Sequence, residues 1–296
     1  MNPSIRLNKI KTWLAAVGLI TAFSAATVSA QAPLWLGDWY PSLKLQFTAD
    51  DNINRSFDGD GEKSDVIIEP SIRLERQFQL ADYTFSYLAG EVAGAIHGKY
   101  NKLNHVAPGV DIGIRRQLGD GLDASALQAG FGLKYEFHDQ DQRFGAEFNP
   151  RLSAHLGLGP TVRAELFYEY DNRFASDNSV YDREGHTVGL DGDVAITEQL
   201  AITIGYSYRR GDVLVHQPRI DLGEEIRGER LPLDTFKDRY DAVKIEDGDT
   251  HTVHLGLRYA VNLYTVISVG FAYEEIKADG DKYPSNQLIL GVTHLL

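Results

Sequence analysis

The stretch Phe144–Pro160, FGAEFNPRLSAHLGLGP, puts Phe144, Ala146, Phe148, Leu152, Ala154, Leu156 and Leu158 on one parity. Gly145, Glu147, Asn149, Arg151, Ser153 and His155 occupy the other. Alternation with a period of two describes a β-strand with one apolar and one polar face. It persists from Phe144 to Leu158, well beyond the roughly 5–6 residues of an ordinary soluble strand.

The same pattern returns along the chain in SLKLQFTAD, IIEPSIRLE, YTFSYLAG, PGVDIGIRR, LQAGFGLKYEF, VRAELFYEY, HTVGLDGDVAI, AITIGYSYR, HTVHLGLRY, TVISVGFAY and NQLILGVTHLL, making twelve candidate strands with the stretch above. No segment has a convincing helical period. The breaks alternate between short ones (QLAD, LGDG, GP, TEQL, AVNL) and longer acidic, glycine-rich ones (DNINRSFDGDGEKS, ASDNSVYDRE, residues 212–249, KADGDKYPS), with NKLN and HDQDQ as short members of the second class. A meander with short turns at one end and long loops at the other is the pattern of a transmembrane β-barrel. The fold expected is therefore all-β: a closed, antiparallel, up-and-down barrel of twelve strands, with short periplasmic turns and longer extracellular loops. Lipid offers backbone groups no partner, so the apolar faces can meet hydrocarbon only if the ladder closes on itself.

Aromatic residues sharpen the picture. Phe47, Tyr135, Phe137, Tyr168, Tyr170, Tyr206, Tyr208, Phe271 and Tyr273 cluster at the far ends of strands running toward the long loops, and Phe144 and Phe148 lie near the start of a returning one. Together they predict a membrane-interface girdle at one height.

Met1–Ala30 carries Arg6, Lys9 and Lys11, an apolar run LAAVGLITAFSAA and small residues at Val28-Ser29-Ala30, which describes a cleaved secretory signal peptide. Residues 31–41 are read as a short periplasmic segment and 42–296 as one barrel domain. Without the three leader bases, 26 Lys and Arg face 42 Asp and Glu, a formal charge of −16 that argues against nucleic acid. The absence of cysteine excludes disulfides and thiolate chemistry.

The chain resembles bacterial outer-membrane β-barrels of porin type, closest in texture to the uncharacterised β-barrel porin group. The residues carrying this are Asp50-Asp51-Asn52-Ile53-Asn54-Arg55-Ser56 and a recurrent proline opening, in Pro70-Ser71-Ile72, Pro108-Gly109-Val110 and Pro150-Arg151-Leu152. The resemblance implies a passive pore in a Gram-negative outer membrane, inserted by the barrel-assembly machinery and bordered by lipid and lipopolysaccharide. The chain departs from the pattern at its end, His294-Leu295-Leu296, where such barrels usually place an aromatic residue. The prolines fall inside strands, where a missing N–H breaks a ladder bond, and are read as bulges, as is the region of Gly90.

By parity the interior receives Glu69, Arg73, Asp111, Arg115, Lys134, Glu136, Glu147, Arg151, Arg163, Glu165, Asp191, Arg209, Arg258 and Glu274. Charged rings set selectivity in pores, so these are the expected pore-lining residues of a conduit for ions or small polar solutes. The same residues would also serve as a salt-bridged plug, since twelve strands fall between barrels filled by side chains and barrels that leave a channel. The break at 212–249 reads equally as a constriction folded into the mouth or as a surface loop for a partner. Asp58, Asp60 and Glu62 in DGDGE have alternate-oxygen spacing but no full ligand set, so they are read as a solvated acidic loop; no metal or cofactor is expected. A structural or adhesive barrel with a closed lumen is the first alternative. A lipid hydrolase is the second, with His138, His186 or His251 as base, although no nucleophile signature accompanies them and the reading is non-enzymatic.

Overall fold

The computed structural model describes residues 39–56, 61–120, 124–140, 143–218, 229–232, 235–236 and 240–296. The leader 1–30, most of the 31–41 segment, and Asp58 and Asp60 lie outside the described residues.

Thirteen strands are built from the alternating stretches: β1 (Trp39–Asp50), β2 (Asp65–Ala81), β3 (Thr84–His97), β4 (His105–Gln117), β5 (Ala126–His138), β6 (Gly145–Gly157), β7 (Val162–Ala175), β8 (Arg183–Ala195), β9 (Leu200–Pro218), β10 (Glu229–Pro232), β11 (Tyr240–Ala260), β12 (Thr265–Ala278) and β13 (Asp281–Leu295). From β1 to β9 each strand pairs antiparallel with the next, β9 pairs with β11, and β11, β12, β13 and β1 complete the circuit. Twelve strands thus close into an all-β antiparallel barrel without an edge. The four-residue β10 stands outside the ring, paired only with β11.

Closure separates two faces. On the outer parity Leu152, Leu190, Leu255 and Leu288 are each more than half exposed. A water-soluble domain would hide so extensive a band, whereas hydrocarbon stabilises it. All eleven aromatics of the expected girdle stand on this outer parity, but by strand bounds Tyr168, Tyr206, Tyr208 and Phe271 fall in the halves nearer the short turns and Phe144 just precedes β6. Several touch: Phe137 packs on Tyr135 at 4.7 Å and on Phe144 at 5.9 Å, and Phe131 on Phe148 at 5.8 Å. The sequence reading missed a second set at the short-turn end, where Phe78, Tyr83, Tyr259 and Tyr264 are exposed.

Three expectations are corrected. Pro70, Pro108 and Pro150 are not bulges. Each interrupts pairing on one side only, toward β3, β5 and β7 respectively, and the register resumes unchanged beyond it. A residue without an N–H forfeits its ladder bond on one edge and keeps its neighbour on the other. Pairing through Gly90 is likewise regular, and the irregularities fall at Gln79/Ala81 and Ile245/Gly248. KADGDKYPS is not a long loop: β12 and β13 run through it and meet in a two-residue turn, with Asp279 and Gly280 at φ 54° and 91°. Two successive left-handed residues make the turn that matches the twist of a β-hairpin, and Asp-Gly is among its preferred pairs.

Leu255 lies mid-strand on the outer face, so Leu255→Lys is expected to lower folding stability in lipid vesicles by about 2–4 kcal/mol. Reversible denaturant unfolding checks this; a neutral effect would mean that the position faces water.

Candidate functional site: the lumen and its cap

The inner parity carries ion pairs that reach across strands. Arg73 on β2 joins Asp111 on β4, and also Glu75 and Glu91, each at 3.3 Å. Lys134 lies 3.1 Å from Glu147 and 3.4 Å from Glu136. Arg151 lies 2.8 Å from Glu165 and 3.3 Å from Glu169. Arg258 meets Asp193 at 2.5 Å, His254 meets Asp191 at 3.6 Å, and Arg209 meets Asp171 at 2.7 Å. Glu69 accepts from Gln46 and Thr48. Glu274 is drawn to the mouth by Arg55, at 2.7 Å. Arg115 and Arg163 border a smaller cavity with Glu165, Asp191 and Asp193. Most of these groups stay partly exposed, as side chains in an aqueous interior do, and such pairs contribute little net stability each.

Space remains between them. A cavity of about 520 Å³ is bounded by Arg73, Tyr87, Asp111, Lys134, Glu147 and Arg151, among others. One of about 510 Å³ shares Arg73 and Tyr87 with it and extends toward the short turns past Gln77, Arg115 and Gln128. A third of about 270 Å³ shares Arg115 and continues to Arg163 and Asp193. The interior is polar and unfilled through this part of the barrel.

Two aromatic rings line it. Tyr87 lies flat over Gly113 and Gly130, where an added Cβ would collide with the ring. Phe167 lies over Gly189 and is covered in turn by the Arg151 guanidinium at 4.0 Å. Glycine is required at these places because only a bare backbone lets a ring press against the wall.

The long-loop end is different. Beyond the bulge at Ile245/Gly248, β9 and β11 continue as a hairpin past the ends of β8 and β12, with β10 paired on the other edge of β11. One face of this hairpin buries Val213, Val215, Val243 and Ile245 against Ile276, Ala278 and Tyr283 of β12 and β13. Ala242, on the other face, packs on Val180 and Tyr181 of the β7–β8 loop. Phe236 and Tyr240 close on Leu103 and Tyr100 of the β3–β4 loop. Polar contacts pin the same piece to the remaining loops: the His216 amide donates to the Asn54 carbonyl, Tyr240 Oη to the Gly61 carbonyl, and Thr235 Oγ1 to Gln140 Oε1. Of the two readings of 212–249, the described part packs against the loops around the mouth rather than standing clear of them. The sequence carried one overlooked sign of it: on β9 the apolar residues pass from even positions (Ile202, Ile204, Tyr206, Tyr208) to odd ones (Val213, Val215), the parity of the inner face.

Sequence reasoning also missed Tyr87, Glu91, Phe167, Asp171, Arg173 and Arg183. Continued alternation past the assigned strand ends would have found most of them. The histidines weighed as catalytic are committed elsewhere: His138 to Glu136 at 3.2 Å, His186 to Tyr168 at 2.8 Å and His251 to Tyr206 at 2.9 Å. Ser153, His155 and Glu165 do stand in the order nucleophile, base, acid, at 3.2 Å and 3.7 Å. Ser153 is nonetheless buried, and Glu165 is held by Arg151. Neighbouring Ala154 and Ser153 are paired in the ladder on both sides, so their amides make no oxyanion site.

No protein-family profile matches the sequence, and no curated protein is significantly similar to it. Solved structures share its architecture. The COG4313 outer membrane channel from Pseudomonas putida F1 is 11% identical over 87% of this chain and 95% of its own, with a TM-score of 0.57. The NanC porin is 11% identical over 86% and 100%, with a TM-score of 0.48, and the KdgM porin in complex with disordered oligogalacturonate is 12% identical over 86% and 98%, at 0.44. The likeness is one of fold: the chain has the β-barrel fold of outer-membrane channels.

The cap contains a titratable lock. His216 Nε2 accepts from Arg143 Nη2 at 2.9 Å, which requires a neutral ring. Burial first, and the Arg143 charge second, hold its pKa well below the ordinary value; Asn54 opposes them and Arg55 adds to them. The stabilisation is therefore complete above about pH 6.5, the unfolded value, and is lost as pH falls toward the folded value, at up to about 1.4 kcal/mol per pH unit. Amide-exchange protection of residues 213–216, corrected for intrinsic rate, should drop between neutral pH and pH 5 and should lose that dependence in His216→Gln.

Proposed function

We propose that the protein is an outer-membrane channel through which ions or small polar solutes diffuse passively, without chemistry, along a narrow charge-lined lumen. The observation that carries this reading is the row of three cavities with shared lining residues inside a closed barrel, bordered by partly exposed ion pairs. The lining residues we assign are those named from parity, from Glu69 and Arg73 on β2 to Arg258 on β11 and Glu274 on β12. The hairpin cap is the constriction, and solutes pass when it loosens or through gaps at its margin. Export by the 1–30 leader, insertion by the barrel-assembly machinery, short turns toward the periplasm and contact with lipopolysaccharide at the girdle complete the proposal.

A second reading has one observation in its favour. The cap is packed on three apolar clusters, as a permanent seal would be, and a sealed barrel would serve as a structural or adhesive element.

Planar-bilayer recording of the refolded protein separates the two: discrete conductance steps support the channel, and their absence supports the seal. Arg73 is the shared counter-ion of Glu75, Glu91 and Asp111, so Arg73→Ala leaves three carboxylates facing the lumen. It should raise the preference for cations, read as a shifted reversal potential in a salt gradient. Neutralising Glu147 and Arg151 together should alter conductance. Unchanged conductance and selectivity in both variants would contradict the assigned pathway.

A further inference from the structure

Tyr87 is laid across the inner wall of the barrel. Its ring leaves β3, spans Gly113 on β4, and its hydroxyl reaches Gly130 on β5, where any Cβ would strike it. One face of the ring is therefore spent on bare backbone and the other is turned to the lumen. Among the described residues no ring or cation stacks on that open face, whereas Phe167 is covered by the Arg151 guanidinium at 4.0 Å. The ring also stands where the two larger cavities meet: those of about 520 and 510 Å³ both have Tyr87 and Arg73 in their walls. Each is of the size that accommodates a small molecule, about 300–1,000 Å³.

The edge of the ring is polar. Gln128 Nε2 donates to Tyr87 Oη at 3.3 Å, and the hydroxyl's own proton has no acceptor among the described residues. Gln128 Oε1 has no donor there either. Gln77, in the wall of the same cavity, uses its amide nitrogen on Glu75 at 3.0 Å and keeps its oxygen. Neither sign of charge dominates the surroundings, where Arg73 and Arg115 are set among Glu75, Glu91 and Asp111. A charged solute would gain from one set and be repelled by the other. A neutral one with a flat C–H face and hydroxyls around its edge would cover the ring and satisfy the free polar atoms, since each hydroxyl both donates and accepts. A purely aromatic solute would cover the ring but leave those atoms unpaired.

We propose that Tyr87 is the stacking platform of a subsite for a neutral sugar: one pyranose ring lies on the open face of Tyr87, with its hydroxyls held by Tyr87 Oη, Gln128 and Gln77. This names a solute class for the channel and rests on that reading for its physiological meaning, though not for its test. The glycines at 113 and 130 are part of the subsite, because they let the platform lie against the wall and leave the passage beside it open.

The test is saturation-transfer-difference NMR on the full protein refolded in a detergent without a sugar headgroup, titrated separately with methyl β-glucoside, glycerol and benzyl alcohol. The glucoside should give a saturable response, strongest at the C–H protons of one ring face, and glycerol, which has hydroxyls but no ring, should give none. Tyr87→Ala should weaken the apparent affinity about fivefold or more. Tyr87→Phe, which keeps the platform and loses the hydroxyl, should retain the ring-face pattern at intermediate affinity. Gln128→Ala, which spares the ring, should also bind more weakly. Heat-modifiable mobility in electrophoresis checks that each variant is still a closed barrel. No saturable glucoside response, an affinity unaltered in both Tyr87→Ala and Gln128→Ala, or binding of glycerol or benzyl alcohol as tight as that of the glucoside would overturn the subsite. Because no flux is measured, failure here leaves the channel reading standing, and absence of conductance leaves a positive binding result intact.

Discussion

A backbone amide in hydrocarbon has no water to fall back on, and that single constraint organises this molecule. The ladder must be complete, and it is completed where β1 meets β13, in register from Ser42 opposite Leu295 to Asp50 opposite Gln287. Once the ring is closed, parity is no longer a matter of local preference. Leu255 must face outward because Gly256 beside it faces inward, and a slip of one residue would put charges such as Arg258 into lipid. The even strand number, the interrupted but unshifted register at the three prolines and the tight Asp279–Gly280 turn all follow from keeping that ladder whole.

The apolar clusters that this arrangement packs in protein, rather than in lipid, are found at the mouth. Among the described residues the three clusters of buried hydrophobic side chains all belong to the hairpin and the loops it touches. The wall is held by backbone bonds and by its surroundings, while the cap is held by side-chain packing like a small soluble core. Two parts of one sheet therefore respond to different perturbations. Charge on the outer face attacks the wall, and protonation of His216 or a change at Arg143 attacks the cap. A constriction whose stability is separable from that of its frame can open without the barrel coming apart.

Much of the fold was legible because period-two alternation is dictated by the pleat and survives any detail of packing. Twelve strands, the polar inner face and the outward aromatics were all readable from stretches such as FGAEFNPRL. The cap was not. Val213, Val215, Val243 and Ile245 alternate as the wall does, and although Val213 and Val215 stand on the opposite parity from Ile204 and Tyr206 of the same strand, that switch says only that they turn inward and not what covers them. The acidic texture of KADGDKYPS concealed a hairpin because Asp-Gly signals both a solvated loop and the tightest of turns. In the lumen, parity brought out Arg73, Glu147 and Arg151, but the contact of Arg143 with His216 and Tyr181 joins distant loops, which no local pattern contains.

The central claim is that solutes pass through the lumen and that the hairpin governs their passage. The chain has no cysteine, so a single engineered pair can latch the cap to the wall: Ala242→Cys on the hairpin with Val180→Cys on the β7–β8 loop, residues packed in one cluster. Single-channel recording of this variant should show conductance that disappears on oxidation and returns with reductant. Conductance indifferent to the latch, with the crosslink verified in the same sample, would contradict the account.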